Sequence, residues 1–258
     1  MVNSLKIITY NIEYGGHYIR FRMKKYIEMI NKYKPDIICF QEIMTFNGVD
    51  TALKICKVLG WYYTRNRYAG TAIISRYRIL EKYDDVNYTN VLGVVVDVDG
   101  ELINVYNIHL NDQPGTPTTV KGVEYPGTPF ITNERIAVNM SFSTKKDDLK
   151  CLAKSIRNSP VKKTIIVGDF NEPSHIDTHI EWKCSKFLQK CGFIDSMRYL
   201  YKSAKRYPLM TYNTYNTEQY PQDRIDLVYH YGIVPTRLKI IPNKGQSDHR
   251  PVLIMFKI

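Results

Sequence analysis

Asp169 and Asn171 stand two apart in Gly168-Asp169-Phe170-Asn171, directly after the apolar run 164–167. Side chains alternate along an extended chain, so a carboxylate and a carboxamide at this spacing point the same way and can share one charged ligand. Gly-Asp-x-Asn is also good turn chemistry, and this stretch alone does not choose between a site and a turn. The same arrangement, an apolar run that ends in a polar side chain, recurs at Asn11, Glu42, His109, Asp226 and Asp248-His249. One strand-end carboxylate is most often a turn or a helix cap. Eight residues on one theme are harder to dismiss.

The residue types suggest a division of labour. Glu42, Asp248 and Asn11 offer hard oxygen ligands suited to Mg²⁺, which keeps several waters and takes few protein ligands. Asp226 and His249 offer a carboxylate that can orient an imidazole. His109 and Asn171 can donate hydrogen bonds to phosphoryl oxygens. Together these meet the needs of in-line attack on phosphorus, where positioning and charge stabilisation do most of the work.

Short buried strands must carry these tips. Apolar, β-rich runs predict strands over 5–10, 36–40, 71–74, 91–98, 102–110, 164–167, 224–229, 237–241 and 251–258, with shorter β-like runs at 61–64 and 78–80. Asp99-Gly100 is a hairpin signal between two of them. Helical spacing covers 18–33, closed by Pro35, and 49–59, stopped by Gly60. Further helices are expected over 133–158, 182–191 and 195–205, with Thr144 as an N-cap inside the first of these. Residues 111–132 are rich in Pro, Gly and Thr without periodicity, and read as a structureless loop overhanging the site.

Composition sets the outer bounds. At 258 residues, with 44% hydrophobic and 24% charged residues, the chain has ordinary globular composition. No apolar run approaches the roughly 20 residues that span a bilayer, and the first residues enter a strand pattern at once, so neither membrane insertion nor a signal peptide is expected. Five irregularly spaced cysteines suggest neither a disulfide framework nor a zinc site, and an intracellular, cytoplasmic location is expected. The net charge of +11 favours polyanionic partners, although an AT-rich coding sequence would also enrich Lys. Nothing signals a protein partner or a dimer, and a monomer is expected.

The motifs Thr9-Tyr10-Asn11-Ile12, Phe40-Gln41-Glu42, Asn107-Ile108-His109-Leu110, Gly168-Asp169-Phe170-Asn171, Arg224-Ile225-Asp226 and Ser247-Asp248-His249-Arg250-Pro251-Val252 resemble, in order, those of the endonuclease/exonuclease/phosphatase (DNase I-like) superfamily. The resemblance covers nearly the whole chain. It implies an α/β fold, one domain over 1–258 in four α/β/β/α layers of two packed mixed sheets, and phosphoester hydrolysis with a divalent metal, usually Mg²⁺ with Mn²⁺ as a substitute. It makes Glu42 the principal metal ligand with Asn11 beside it, and Asp248 a second carboxylate near the metal. Asp169 would orient or deprotonate the attacking water, and Asn171 and His109 would hold the phosphoryl oxygens. His249 would contact the phosphate, polarised by Asp226 or by its competitor Asp223.

Departures narrow the reading within the superfamily. His109-Leu110 stands where apurinic endonucleases usually place a Tyr, and Pro221-Gln222 and Asn171-Glu172-Pro173 replace the 5-phosphatase patterns. A His-containing phosphodiesterase branch remains. Asp112, Arg224 and the loop after His109 should border the substrate, and Tyr212, Tyr215 and Tyr220 near Arg224 are placed to stack bases beside a basic groove. The leading expectation is a phosphodiesterase acting on nucleic acid, as a nuclease or end-processing enzyme. The competing readings are action on a phospholipid headgroup or inositol phosphate, and an inactive module that binds polyanions.

Overall fold

Runs such as Leu5 to Tyr10 and Ile37 to Phe40 have no polar alternation, so their strands need apolar cover on both faces. The computed structural model describes residues 4–16, 22–66, 68–83, 89–214, 218–243 and 245–258, and supplies that cover. Among the described residues the first half of the chain forms β1 (Ser4–Asn11), α1 (Glu13–Gly16), α2 (Arg22–Tyr33), β2 (Ile37–Gln41), α3 (Thr51–Leu59), β3 (Tyr62–Asn66), β4 (Thr71–Ser75), β5 (Ile79–Tyr83), β6 (Val91–Val98) and β7 (Glu101–His109). The second half forms α4 (Thr116–Thr119), α5 (Glu134–Asn158), β8 (Thr164–Asp169), α6 (Lys183–Lys190), β9 (Ile194–Asp195), α7 (Ser196–Leu200), β10 (Asp226–Tyr231), β11 (Val234–Ile240) and β12 (Val252–Lys257).

Two six-stranded sheets pack face to face, in the orders β11-β12-β1-β2-β4-β3 and β5-β6-β7-β8-β10-β9. Both are mixed, because β1 runs parallel to β2 and β7 parallel to β8 while the other pairs are antiparallel. Alternate side chains then serve different layers. Ile7, Ile37 and Ile73 of one sheet meet Val94, Val105, Ile165 and Val167 of the other. Their neighbours Ile8, Ile38 and Phe40 face Tyr26, Ile30 and Ile55 of α2 and α3. On the opposite side Tyr106, Ile108 and Ile166 face Leu149, Leu152 and Leu188 of α5 and α6. Each fully buried Val or Ile contributes roughly 1.5–3 kcal/mol, so these three apolar layers hold the four-layer α/β sandwich together.

Local signals explain several boundaries. Asp50 caps α3 by accepting from Leu53 N at 2.8 Å, and Gly60 ends it at φ 67°. The Asp99-Gly100 turn joins β6 to β7 with both residues at positive φ, as a tight hairpin requires. The start of the expected 18–33 helix lies outside the described residues. Two expectations are corrected. Thr144 caps nothing: α5 is one continuous helix capped by Asn133, which accepts from Ile136 N, and the Thr144 hydroxyl donates to the Ser141 and Gln113 carbonyls. The 111–132 segment is not structureless either, since α4 lies within it with Thr116, Thr118 and Thr119 buried. No helix among the described residues is long and apolar enough to cross a membrane.

Strand register brings the tips together. His109, Asp169 and Asp226 are paired across β7, β8 and β10, at one rim of their sheet. In the facing sheet Asn11 pairs with Gln41 at the ends of β1 and β2, and β12 begins beside them at Val252, opposite Thr9.

Candidate active site

The backbone at this rim is specialised. Glu42 and Asn171, each just past a strand end, adopt left-handed φ values of 52° and 46°. Non-glycine residues hold that conformation only where the surroundings enforce it, and such positions cluster at functional sites. Gly168 has φ 141°, and a Cβ there would lie 2.0 Å from the carbonyl oxygen of Ile108. Only glycine lets β8 approach β7 so closely before Asp169.

A hydrogen-bonded chain links the two sheets. Asn11 Nδ2 donates to Glu42 Oε1 and to Asp169 Oδ2, both at 3.0 Å, while Asn11 Oδ1 accepts from Glu13 N. Tyr14 N donates to Glu42 Oε2 at 2.9 Å. Asp169 Oδ1 accepts from Asn171 N at 2.8 Å, and Asn171 Nδ2 donates to Leu110 O at 2.8 Å, which leaves that amide a second N–H. His249 Nδ1 lies 2.8 Å from Asp226 Oδ2, and its Nε2 lies 3.6 Å from Asp169 Oδ2 and 3.8 Å from Asp248 Oδ1. His109 Nε2 is 3.9 Å from both Glu42 Oε1 and Asp169 Oδ2. Thr211 Oγ1 steadies the start of β10 by accepting from Ile225 N and Asp226 N. Ser247 Oγ donates to Asn11 O and accepts from His249 N, tying the histidine to β1.

Burial divides the charges into a deep set and an accessible one. Asp169, Asp226 and His249 are buried, whereas the side chains of Glu42, His109 and Asp248 are partly exposed. Burial alone would lower the His249 pKa, but Asp226, Asp248 and Asp169 overcome it and hold the imidazole well above its usual range. The three carboxylates thus favour the protonated ring, which donates a hydrogen bond from both nitrogens. The Asp248 carboxyl is pushed up to about 6, by burial first and then by Glu13, Glu42 and Asp169, with His249 opposing.

The donor set fits a hard divalent cation. Asp169, Asp226 and His249 each place one ligand atom within 4.8 Å of the others. That deep cluster already has its own cation in the imidazolium. Glu42 and Asp248 instead face the open cavity in mutual repulsion, and such crowded carboxylates favour a bound cation that leaves room for water. Asn11 turns its Nδ2 toward the carboxylates, so ligation through its oxygen requires the amide to turn over.

Glu42, His109, Asp169, Asn171, Asp248 and His249 line a cavity of about 660 Å³, together with Glu13, Tyr14, Tyr68, Asn90, Tyr212, Asp223 and residues of the 111–132 arm that include Asp112 and Tyr125. Asp226, not Asp223, is the partner of His249, and Asp223 pairs instead with Lys121. The Tyr212 ring stacks at a tilt on His249, 5.0 Å between centroids. Asp112 accepts from Tyr125 Oη at 3.4 Å, and Tyr220 meets Tyr125 edge-on. Tyr215 lies outside the described residues. Arg224 is a correction: its guanidinium is buried, with Nε to Asp177 and Nη2 to Asp195, and it braces the core rather than substrate. The expected basic groove is also corrected, since the described residues lining the cavity include six carboxylates and no Lys or Arg. Glu13, Lys121 and Tyr125 were not singled out from the sequence. Glu13 alone carried a local signal, a carboxylate two residues beyond Asn11.

Residues 8–249 match the model of the Endonuclease/Exonuclease/phosphatase family. The chain belongs to that family. It is accordingly a phosphoric ester hydrolase of the phosphodiesterase and nuclease kind, in a family whose enzymes depend on divalent metals. An uncharacterised Caenorhabditis elegans protein is 24% identical over 274 residues, spanning 92% of this chain and 82% of that protein. The fold is similar to that of D. rerio TDP2 complexed with single strand DNA product, with TM-score 0.66, 15% identity and 99% of each chain covered. It is also similar to an AP endonuclease from Archaeoglobus fulgidus, with TM-score 0.64 and 17% identity over 98% of this chain and 100% of that one. At these identities the structural likeness establishes the fold.

Proposed function

We propose that this chain is a Mg²⁺-dependent phosphodiesterase that hydrolyses nucleic acid, acting as a single-domain monomer. The observation that carries this reading is the meeting of Asp169 with Asn11–Glu42 on one side and His249–Asp226 on the other. Glu42 and Asp248, with Asn11 once its amide turns, would hold the metal. When bound, Mg²⁺ (or Mn²⁺ in its place) supplies positive charge where the phosphoryl oxygens gain negative charge. Asp169 keeps lone pairs free beyond its bonds from Asn11 and Asn171, and takes the proton of the attacking water. The neighbouring His249, with Nε2 3.6 Å from Asp169 Oδ2, presents that nitrogen to a phosphoryl oxygen. Asp226 fixes the orientation of that ring. His109 and the second N–H of Asn171 donate to the remaining oxygens, where preorganised donors are worth about 10²–10³ in rate each.

Nucleic acid is favoured over a lipid headgroup by the solved relative bound to single strand DNA product. Tyr212 and Tyr125 beside the site offer faces for bases. The test is hydrolysis of bis-p-nitrophenyl phosphate with Mg²⁺, its loss with EDTA, and its loss in Asp169→Ala and His249→Ala. Unchanged turnover in both variants overturns the assignment. Single-stranded DNA, RNA, sphingomyelin and inositol phosphates compared side by side then test the substrate class.

A further inference from the structure

We propose that Lys121 and Asp223 set how much substrate the cavity admits, by fastening the 111–132 arm across the tip of β8; this rests on the phosphodiesterase reading above. The arm leaves β7 just after His109 and is anchored at its base on α5. Thr116 Oγ1 donates to Ala137 O at 3.0 Å, and Thr144 Oγ1 of α5 donates to Gln113 O at 2.9 Å. The strands β7, β8 and β10 lie side by side in that order. Lys121 Nζ donates to Asp223 Oδ1, on the segment that enters β10. The arm therefore starts on one side of β8 and is fastened on the other, passing the tip that bears Asp169 and Asn171.

A second contact reinforces the first. Tyr125 meets Tyr220 edge-on with centroids 6.2 Å apart. Its ring packs so closely on Gly115 that a Cβ there would lie 2.1 Å from Tyr125 Cδ1. Gly115, Pro117, Thr118 and Tyr125 thereby become one wall of the cavity. The ion pair is screened from water on the Asp223 side, where the side chain is 11% exposed against 30% for Lys121. A pair so placed outweighs a surface pair, because its loss leaves a carboxylate buried without a partner.

A strand cut in its middle must leave the site in two directions. The fastened arm occupies one of them, so a phosphodiester near a chain end enters and an internal one is held out. Lys121 is not among the described residues that line the cavity, so releasing the arm widens access without altering the chemistry.

The experiment compares three substrates with Mg²⁺: bis-p-nitrophenyl phosphate, a linear single-stranded DNA, and a covalently closed circle of the same sequence. The wild-type protein is expected to hydrolyse the small diester and to cut the circle about tenfold or more slower than the linear strand, the size of effect that a half-buried fastening commands. Lys121→Met keeps the aliphatic stem, removes the charge, and is expected to retain small-diester turnover while the circle and linear rates converge. Lys121→Arg should behave as wild type. Equal circle and linear rates in the wild type, or an unchanged ratio in a Lys121→Met protein that retains small-diester turnover, overturns the proposal. Should Lys121→Met lose that turnover, the wild-type and Lys121→Arg ratios still decide it. Absence of small-diester hydrolysis in the wild type overturns the functional reading instead.

Discussion

Gly168→Ala concentrates the structural argument in one methyl group. The added Cβ would lie 2.0 Å from Ile108 O, with Ile108 N and C at 2.8 and 2.9 Å, all of them backbone atoms of the paired strand. Carbon to carbonyl-oxygen contacts settle at about 3.3–3.6 Å, so the strands must part by roughly 1.5 Å. The φ of 141° adds a penalty of about 1 kcal/mol or more for any residue with a Cβ. Overpacking of a tight contact costs a further 1–3 kcal/mol, which puts the total loss of stability at roughly 3 kcal/mol. The separation opens where Ile108 pairs with Gly168 and His109 with Asp169. A 1 Å misplacement of catalytic groups costs on the order of 10²-fold in rate.

The assay is urea unfolding together with bis-p-nitrophenyl phosphate turnover. Gly100→Ala is the control, because its φ is 93° and nothing stands within 4 Å of its Cβ. That variant should lose about 1 kcal/mol and keep its turnover. If Gly168→Ala instead unfolds within about 0.5 kcal/mol of wild type and turns over within about threefold, the close approach of β8 to β7 does not position the site.

Two other perturbations test separate parts of the structure. Asp226→Asn keeps the shape beside His249 and removes the carboxylate that raises its pKa, so turnover should fall on the order of 10³-fold. The imidazolium then deprotonates at lower pH, so the alkaline limb of the rate profile should move to lower pH; a profile that stays in place refutes the pairing. His230, buried with its Nδ1 2.8 Å from Ser196 Oγ, has its pKa lowered from 6.5 to about 4 by burial, with Asp195 opposing. Its neutral form stabilises the fold above about pH 6.5, and that contribution, up to about 3 kcal/mol, is lost as pH falls toward 4. Urea unfolding at pH 7 and 4.5 should show a smaller drop in His230→Gln than in wild type, and equal drops refute it.

The sequence exposed what is local and hid what is distant. A polar side chain that ends an apolar strand is visible in a few residues, so Asn11, Glu42, His109, Asp169 and Asp248-His249 could all be read. Asp223 and Asp226 sit three apart in Asp223-Arg224-Ile225-Asp226, and nothing local separates them. Register does: Asp226 pairs with Asp169 at the rim, while Asp223 meets a lysine 102 residues away. Arg224 illustrates the same limit, because a guanidinium reads as surface charge until Asp177 and Asp195 are found around it. Thr144 looked like a cap because Thr followed by Asp three residues on fits a capping box, but Asn133 had already started the helix. The basic composition misled in a further way, since net charge is a property of the whole surface and the cavity lining is acidic.

The site draws on both sheets, so its geometry depends on how they are docked. An apolar interlayer gives weak preference for one register of packing over another, because hydrophobic burial is non-directional. A polar connection beneath the site supplies the missing direction. Gln41 Nε2 of one sheet donates to Asn107 Oδ1 of the other at 2.6 Å, and Asn107 Nδ2 returns to the carbonyls of Phe40 and Ala72 at 2.8 and 3.0 Å. Both side chains are fully buried. An unpaired buried amide costs about 1–3 kcal/mol, so sliding one sheet against the other breaks several directed bonds at once. Gln41 immediately precedes Glu42, and Asn107 lies two residues before His109 on the same strand. The bond that fixes the sheets therefore also fixes the spacing between the carboxylate suited to hold a metal and the imidazole that faces it.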